Sequence, residues 1–348
     1  MSFLYITEQG AYIKKKGGHI QVIKNEEVLV ERVIREIKCL VLFGGVHPTT
    51  DATLALLNSG CDIAYMTKNG HFKGRLVSAA GKNSILRAGQ YAMFHDPKVR
   101  LAFARRYVIA KIRNGMAVLS DYHHSGKSEF VFDERSSIEE ICEHIATRCN
   151  DLASLFGYEG AAARHYFGAF ARLLTHGRAF PGRIFHPSTD PVNALLSFGY
   201  SFVARELQGI LEALGLDPYI GFFHEVTYGR ASLTLDLMEE FRHPFIDRLV
   251  VRLFNKRMLG DDDFETGDKG QVYLKKESLK IFIRHYEEWA NRVNRTLGDD
   301  GELSWRQVMW KQGEKLRRAV EYNEEYTPFS WKEGIKEASY SGSGEGAR

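Results

Sequence analysis

The chain has 348 residues, of which 44% are hydrophobic and 26% are charged, and its formal net charge is +3. A chain of this length and composition can bury a sizeable core and is expected to divide into two domains. No stretch approaches the ~20 apolar residues of a membrane span, and the N-terminus lacks a basic segment followed by a long apolar run, so these features argue against a membrane-spanning or exported protein.

The four cysteines show no paired CxxC or Cys/His spacing and are Cys39, Cys61, Cys142 and Cys149. Such cysteines are expected to be reduced thiols of a soluble, cytoplasmic protein. The pattern does not suggest a zinc site.

The charge is distributed unevenly along the chain. Residues 1–120 contain 18 Lys and Arg against 8 Asp and Glu, a balance of +10, whereas the remaining 228 residues carry 29 against 36, a balance of −7. This distribution suits a polyanionic partner for the first part and a cation-binding carboxylate site in the second. It is equally compatible with a charged surface that only keeps the protein soluble.

Residues 1–80 have the pattern of short strands. Six apolar runs are separated by glycine-rich or polar turns, and these runs are residues 3–6, 11–13, 19–23, 28–30, 39–43 and 63–66. Residues 50–60 predict one helix among them. Asn69 and Gly70 predict a hairpin turn after the last run. Several short strands with turn signals predict a small β-sandwich.

From about residue 82 the pattern becomes helical. A long basic helix is predicted from Pro97, with one apolar stripe formed by Leu101, Ala104, Val108, Ile112, Met116 and Leu119. Its basic residues are at least as compatible with a solvated helix face as with phosphate contacts. Further helices are predicted at residues 137–156, 159–176, 190–214, 232–258, 275–297 and 303–320.

The predicted fold class is therefore α+β, with an N-terminal β-sandwich followed by a larger all-α domain. The predicted boundaries are a β-rich domain at residues 1–80, a linker at 81–96, a helical domain at 97–328 and a flexible tail at 329–348. The tail is small and polar in composition, which is typical of a mobile segment.

A histidine and two acids lie close together in the segment after Gly221. Apolar residues recur there at helical spacing up to Pro244, so Asp236 and Glu239 are expected one turn apart, about 5 Å from each other on one face. His224 precedes this helix on a short segment, and its imidazole can turn back toward the acids. The group is a plausible half of a divalent-metal site. A solvated acidic face and an ordinary histidine explain the same pattern without a metal.

Glu159 is the candidate third carboxylate. It is expected to open an Ala-rich helix whose small residues allow another helix to approach closely. Arg164 and Tyr166, in the same segment, are of the side-chain types that hold phosphates. An acid in the first turn of a helix also favours the helix dipole, which requires no metal.

Four motifs in this order resemble the CRISPR-associated protein one family, the endonuclease and integrase of CRISPR spacer acquisition. They lie at residues 157–167, 190–200, 215–224 and 232–242. The similarity also includes residues 41–45 of the β-rich part and residues 111–114 of the basic helix, and it extends to about residue 325.

The resemblance implies that the β-sandwich serves dimerisation and DNA contact and that the helical domain is catalytic and binds metal. It implies that Glu159, His224 and Glu239 are the ligands of a catalytic Mg²⁺ or Mn²⁺. Asp236 matches an acid one turn before the last ligand, able to bind metal directly or through water. The expected partners are double-stranded DNA, a second copy in a homodimer, and the small ferredoxin-like CRISPR-associated protein two.

The resemblance also gives roles to residues around these ligands. Arg230 and Arg242 match basic positions that flank the site, and Tyr166 matches an active-site tyrosine. Asn193 and Tyr200 match a motif that is mainly structural. The chain departs from the family's pattern at residues 186–189, where relatives often have an Arg followed by two prolines, which affects local loop shape and one basic contact.

The implied reaction is insertion of short foreign DNA duplexes, the spacers, into a CRISPR repeat array by transesterification. Hard oxygen ligands with one imidazole suit Mg²⁺ or Mn²⁺, and such an ion can polarise a phosphoryl oxygen. Two alternatives remain open. One is a general metal-dependent DNase acting on double-stranded or branched DNA, and the other is a non-catalytic DNA-binding assembly subunit.

Overall fold

The computed structural model describes residues 2–68, 72–77, 84–124, 132–176, 178–184, 187–294 and 302–331. Its sheets lie mainly in the N-terminal region and its helices follow, so the α+β composition is confirmed. In this described part, no helix is long and apolar enough to cross a membrane.

The strands of the N-terminal region are β1 (Ser2–Ile6), β2 (Tyr12–Lys16), β3 (His19–Lys24), β4 (Glu27–Val33), β5 (Ile37–Phe43), β6 (His47–Pro48), β7 (Asp62–Met66) and β8 (Phe72–Leu76). They form two sheets with the strand orders β1-β5-β7-β8 and β4-β3-β2-β6. Strands β1, β5 and β7 are parallel, whereas β8 returns antiparallel to β7. The predicted β7–β8 hairpin pairing is confirmed, although Asn69 and Gly70 lie outside the described residues.

Strand β5 shows how these sheets are held. Successive side chains of a strand point to opposite faces, and Leu40 and Leu42 join a core shared by both sheets and by α1 (Thr50–Asn58). Val41 and Phe43 point the other way, into the core formed by the helices. One sheet is therefore buried on both faces, which explains why β5 is a continuous apolar run rather than an alternating one.

Nine helices follow in the described chain, namely α2 (Ser84–His95), α3 (Pro97–His124), α4 (Phe132–Thr147), α5 (Leu152–Ala171), α6 (Pro191–Ala213), α7 (Ser232–Met238), α8 (Arg248–Asn255), α9 (Lys276–Asn291) and α10 (Trp305–Tyr322). The long basic helix after Pro97 is confirmed as α3. Helices α3 and α5 pack against each other, and α6 packs against α7 and α10.

Three predictions for this part need correction. Most of the predicted linker is the helix α2. Gln90 of this helix is buried, and its side-chain amide donates hydrogen bonds to the carbonyls of Asp217 and Ile220. The predicted tail begins with buried aromatic residues, Phe329 and Trp331. The second part is not all-α, because two small hairpins interrupt the helices: β9 (Phe264–Thr266) with β10 (Val272–Leu274), and β11 (Val293–Asn294) with β12 (Leu303–Ser304).

Two helix boundaries also differ from the predicted ones, and both affect the site. Helix α5 starts at Leu152, because the carboxylate of Asp151 accepts a hydrogen bond from the backbone N–H of Ser154 and caps the helix. Glu159 is therefore in the helix interior and not in its first turn. After α7 the chain forms a π-helical segment, Arg242–Asp247, before α8 begins. This segment contains Pro244, which cannot donate an α-helical hydrogen bond.

Candidate active site

The candidate site lies in a cleft of about 750 Å³. Different elements supply its walls, with Glu159 from α5, Tyr200 from α6, His224 from the loop before α7, Glu239 from the end of α7, and Tyr273 from β10. The fold therefore brings together residues as distant in the chain as Glu159 and Tyr273, which are 114 positions apart. The cleft is open to solvent on one side.

A lysine joins two of the predicted metal ligands. The Nζ atom of Lys111, on α3, lies 2.5 Å from Oε1 of Glu159 and 2.7 Å from Oε2 of Glu239. The Lys111 side chain is 12% exposed and that of Glu239 is 2% exposed, so solvent screens this contact weakly. Oε2 of Glu239 makes no well-directed hydrogen bond, and its contact with the ammonium is therefore mainly ionic.

Asp236 holds the imidazole of His224 in place. Its Oδ1 accepts hydrogen bonds from the backbone N–H and from Nδ1 of His224, each at 2.8 Å. Its Oδ2 accepts from the backbone N–H groups of Phe222 and Phe223, at 2.5 and 3.0 Å. Because Nδ1 donates its hydrogen to Asp236, neutral His224 has its lone pair on Nε2, which lies 3.6 Å from Oε1 of Glu239.

The loop carrying His224 can approach α7 only because residue 221 is glycine. A Cβ atom on Gly221 would lie 2.6 Å from the carbonyl carbon of Ser232 and 2.7 Å from Oδ2 of Asp236. These distances are shorter than any tolerated nonbonded contact with backbone. The glycine thus lets the loop reach the Asp236 carboxylate and bring His224 toward Glu239.

Charges around Glu239 keep it ionised. Burial alone would raise the pKa of its carboxyl group, but Arg242, Lys111 and His224 outweigh that effect and lower the pKa well below its usual value. Burial would likewise lower the pKa of Lys111, whereas Glu239 and Glu159 raise it above its ordinary value. The cluster is therefore a set of buried, mutually stabilised charges.

The two predicted arginines occupy different environments. Arg242 donates from Nε to Oε1 of Glu239 at 2.9 Å, and its guanidinium lies 4.7 Å from the centre of the Tyr200 ring. Arg230 lines the cleft but is exposed, on the loop that precedes α7. Arg242 is thus fixed beside the carboxylates, and Arg230 is free to contact a ligand at the rim.

The predicted active-site tyrosine, Tyr166, is buried behind the cluster. Its hydroxyl donates to Oδ2 of Asp247 at 2.9 Å, Tyr200 donates to Oδ1 at 2.5 Å, and Nδ1 of His243 lies 2.7 Å from Oδ2. Burial and Asp247 raise the pKa of both tyrosines well above the usual value. The hydroxyl of Tyr166 therefore supports the packing of α5 on the π-helical segment and does not face the cleft.

The Asn193 motif organises the loop before α6. The Asn193 amide donates to the carbonyl of Gly182 and to Asp190, and its oxygen accepts from the backbone N–H of Ile184. The departure from the family pattern falls partly on His186, which lies outside the described residues. In the same segment the carbonyl of Ser188 accepts a hydrogen bond from the backbone N–H of Val272, so this loop is tied to the β9–β10 hairpin.

Sequence reasoning did not single out Lys111, Asp247 or Glu240. Lys111 was one basic residue among several on α3. The helical spacing does indicate that Lys111 faces the core. Lys111 lies four residues after Tyr107 and three after Val108, and both of these residues are buried, so the three side chains share one side of the helix. The roles of the two acids depend on partners more than 40 residues away, which spacing does not reveal.

The chemistry of the donor set fits a hard divalent cation. Glu159 and Glu239 offer carboxylate oxygens, one of them without a hydrogen bond, and His224 offers an imidazole nitrogen whose ring is fixed by a carboxylate. Within the described residues, no three His, Cys, Asp or Glu side chains stand close enough together to form a metal site as they are. The Lys111 ammonium lies between the two carboxylates instead.

This fold and site define a class of protein, namely an α+β protein with a cluster of carboxylates and an imidazole in an open cleft. A sequence profile described as CRISPR associated protein Cas1 matches residues 4–288. A Thermus thermophilus protein named CRISPR-associated endonuclease Cas1 3 is 35% identical over 318 residues, which cover 90% of this chain and 92% of the relative. The chain belongs to the CRISPR-associated Cas1 family, so the resemblance found in the sequence is confirmed.

Two solved structures share the fold. A casposase bound to integration product has a TM-score of 0.84 and 23% identity, with 98% of this chain and 97% of the casposase chain covered. A Cas6-RT-Cas1–Cas2 complex has a TM-score of 0.78 and 22% identity, with 96% of this chain and 36% of the other chain covered. At these identities the similarity establishes the fold only.

Proposed function

We propose that the protein is a metal-dependent DNA endonuclease and integrase that inserts spacer duplexes into a CRISPR repeat array by transesterification. The observation that carries this proposal is the cluster of Glu159, His224 and Glu239 in an open cleft of a Cas1-family chain. Relatives named as endonucleases and a casposase neighbour captured with integration product support the same chemistry. The 3′-hydroxyl of the incoming duplex attacks a phosphodiester phosphorus of the repeat; the new P–O bond forms as the bond to the repeat strand's 3′-oxygen breaks, and that strand leaves with a 3′-hydroxyl. Water as the nucleophile gives nuclease activity instead.

The proposed metal is Mg²⁺ or Mn²⁺, with Glu159, His224 and Glu239 as its ligands. When bound, such an ion supplies polarisation of the phosphoryl oxygen and stabilises the charge that develops during transfer. We assign Asp236 to positioning and not to the metal, because both of its oxygens already accept two hydrogen bonds each. Its role is to fix the ring of His224 so that Nε2 faces the ligand site.

The basic side chains of the cleft complete the proposed mechanism. Arg242, held by Glu239 and Tyr200, presents a fixed positive charge to a phosphate beside the carboxylates. Arg230 at the rim holds the duplex through its phosphates. Such contacts orient DNA without reading its sequence, and binding is expected to weaken steeply with salt.

We also propose the assembly that the family implies. The N-terminal sheets serve dimerisation and DNA contact as a β-sandwich domain, and the helical part is the catalytic domain. A Cas2-containing complex among the structural neighbours supports CRISPR-associated protein two as a partner. The basic balance of residues 1–120 supports a duplex-binding surface. We place the reaction in the cytoplasm, where the array and the reduced thiols are expected to coexist.

A strand-transfer assay tests this function. A labelled duplex with 3′-hydroxyl ends is incubated with a supercoiled plasmid carrying a CRISPR repeat and the partner protein, in Mn²⁺ or in EDTA. His224→Ala is compared with His285→Ala, which removes a histidine on α9 outside the cleft. We expect joined product in Mn²⁺ for the wild type and His285→Ala, and none in EDTA or for His224→Ala.

The other outcomes identify the alternatives. Cut products without joining would favour a general DNase. Duplex binding that chelator leaves unchanged, with no product formed, would favour an assembly subunit without catalytic activity. Joined product that persists in Glu159→Ala would refute the ligand assignment.

A further inference from the structure

Two carboxylates and two cations of the candidate site form a closely linked set of opposite charges. Glu159 and Glu239 contribute two negative charges, while Lys111 and Arg242 contribute two positive ones. All four belong to a single contact network, because both cations touch Glu239 and Lys111 also touches Glu159. The side chains of Glu239, Lys111 and Arg242 are at most 13% exposed. Asp236, linked to Glu239 through His224, adds a third buried carboxylate, so the network carries one net negative charge when the imidazole is neutral.

A divalent cation cannot simply be added to this cluster. It would leave the network with a net charge of +1 and would place a dication against two resident cations in a poorly solvated place, which is unfavourable. The Lys111 ammonium also takes up the space that the cation needs, since it lies within 2.7 Å of an oxygen from each carboxylate. Metal ligands of this kind approach to about 2.0–2.2 Å. One of the two resident cations must therefore leave.

Of the two, Lys111 is the one that can leave. Arg242 is held by a hydrogen bond through Nε and by its contact with the Tyr200 ring. Lys111 is held only at its ammonium, at the end of a flexible stem. Its side chain lines the large cleft, whereas the adjoining pocket beside Ile138 has only about 10 Å³ of space. A displaced ammonium thus moves into the cleft, where substrate phosphates are expected.

We propose that Lys111 is an internal counter-cation, which joins Glu159 to Glu239 in the metal-free protein and must be displaced when a divalent ion binds. This inference rests on the metal assignment of the proposed function. It makes Lys111 a competitor of the metal, so that the lysine lowers metal affinity while stabilising the metal-free site. A residue that only supports the fold would stabilise the metal-free site without lowering the affinity for the metal.

Mn²⁺ binding to the full chain, without DNA, tests the inference by calorimetric titration after dialysis against EDTA. Lys111→Met removes the charge and keeps the stem, and Lys98→Met is the matched control at an exposed position of the same helix. We expect Mn²⁺ to bind Lys111→Met about tenfold more tightly than the wild type, because no cation has to be displaced. Lys98→Met should bind as the wild type does.

Thermal unfolding provides a second, independent test of the inference. In EDTA, Lys111→Met should melt several degrees below the wild type, because two buried carboxylates lose their shared cation, and Mn²⁺ should raise its midpoint more than that of the wild type. If Lys111→Met does not fold, the comparison is made between Lys111→Gln and Lys111→Arg. The glutamine variant should bind Mn²⁺ more tightly than the arginine variant.

Mn²⁺ affinity that is unchanged or weaker in the uncharged variants would overturn the inference and leave the metal assignment standing. His224→Ala, titrated in parallel, should bind Mn²⁺ more weakly than the wild type. If Lys111→Met gains affinity while His224→Ala loses none, the ligand set of the proposed function is wrong but the competition by lysine holds. No Mn²⁺ binding by any protein would overturn both.

Discussion

Replacing Asp236 by asparagine tests whether this buried carboxylate positions His224. Both oxygens of Asp236 accept two N–H groups each, from the backbone of Phe222 and Phe223 on one side and from His224 on the other. The asparagine side chain has an NH₂ group in place of one carboxylate oxygen. Whichever of the two positions the NH₂ group occupies, it would face at least one backbone N–H group, and two donors cannot form a hydrogen bond. The isosteric change therefore breaks the network without altering its volume.

The magnitude follows from the number of donors left without an acceptor. Each buried N–H group without an acceptor costs about 1–3 kcal/mol, so two such groups should lower the free energy of unfolding by about 2–6 kcal/mol. A change in the residue that orients a metal-binding imidazole should also weaken Mn²⁺ binding by about 10–100-fold. Glu225→Gln is the matched control, because Glu225 is an exposed carboxylate on the same loop.

Urea denaturation and Mn²⁺ titration of both variants measure these effects. Loss of stability together with weakened Mn²⁺ binding in Asp236→Asn, and neither in Glu225→Gln, is the expected result. A stability change below about 1 kcal/mol would refute the hydrogen-bond argument. Normal Mn²⁺ affinity in a destabilised Asp236→Asn would show that His224 needs no positioning by this carboxylate.

Three further changes have defined outcomes. In Gly221→Ala, the clash with Ser232 should lower the unfolding midpoint and abolish strand transfer, and an unchanged midpoint would contradict the close approach. Burial raises the pKa of Glu240 to about 7, so the folded state binds more protons than the unfolded state between pH 4.5 and 7. The free energy of unfolding should therefore fall by about 3 kcal/mol as pH rises through that window, and urea titrations should find no such fall in Glu240→Gln. Tyr166→Phe leaves Asp247 without one donor and should cost about 1–2 kcal/mol in denaturation, with strand transfer largely retained, whereas complete loss of transfer in the folded variant would make the hydroxyl catalytic.

The parts of the fold that the sequence predicts well are those set by local pattern. Helix α3 has an apolar stripe at helical spacing, and strand β5 is a short apolar run that is followed by glycines; both elements appear at the expected places. The start of α5 differs from the predicted one, because the helix begins at Leu152 and continues through Glu159. Helix α5 includes both Gly157 and Gly160, and its buried residues, among them Leu155, Ala162 and Tyr166, pack it against the core despite the low helix propensity of glycine.

The sequence places the histidine and the acids near one another and, through the family resemblance, Arg242 beside them, but it does not single out Lys111. His224, Asp236 and Glu239 are close in the chain, so local geometry restricts their separation. The contact between Lys111 and Glu159 joins residues 48 positions apart on two packed helices. Which of several basic residues on α3 points inward depends on the orientation of that helix against α5, and helical spacing alone leaves that orientation undetermined.

Two adjacent acids face opposite sides of the fold at the end of α7. Glu239 belongs to the cleft, whereas the carboxylate of Glu240 is fully buried on the other side. Glu240 accepts hydrogen bonds from Nε2 of Gln312 and the backbone N–H of Phe329, both at 2.8 Å, and from the hydroxyl of Tyr326. The C-terminal segment is thus bound directly to the residue next to a proposed metal ligand.

The same arrangement recurs on α3. Asn114, one turn after Lys111, donates to the carbonyl of Phe329 at 3.0 Å and accepts from the backbone N–H of Trp331 at 2.8 Å. The carbonyl of Glu240 also accepts from Asn114, at 2.9 Å. The side chains of Asn114 and Glu240 both bond to residues 326–331, so this segment joins the helix that carries Lys111 to the residue next to Glu239. The segment predicted as the start of a flexible tail is therefore part of what determines the geometry of the site.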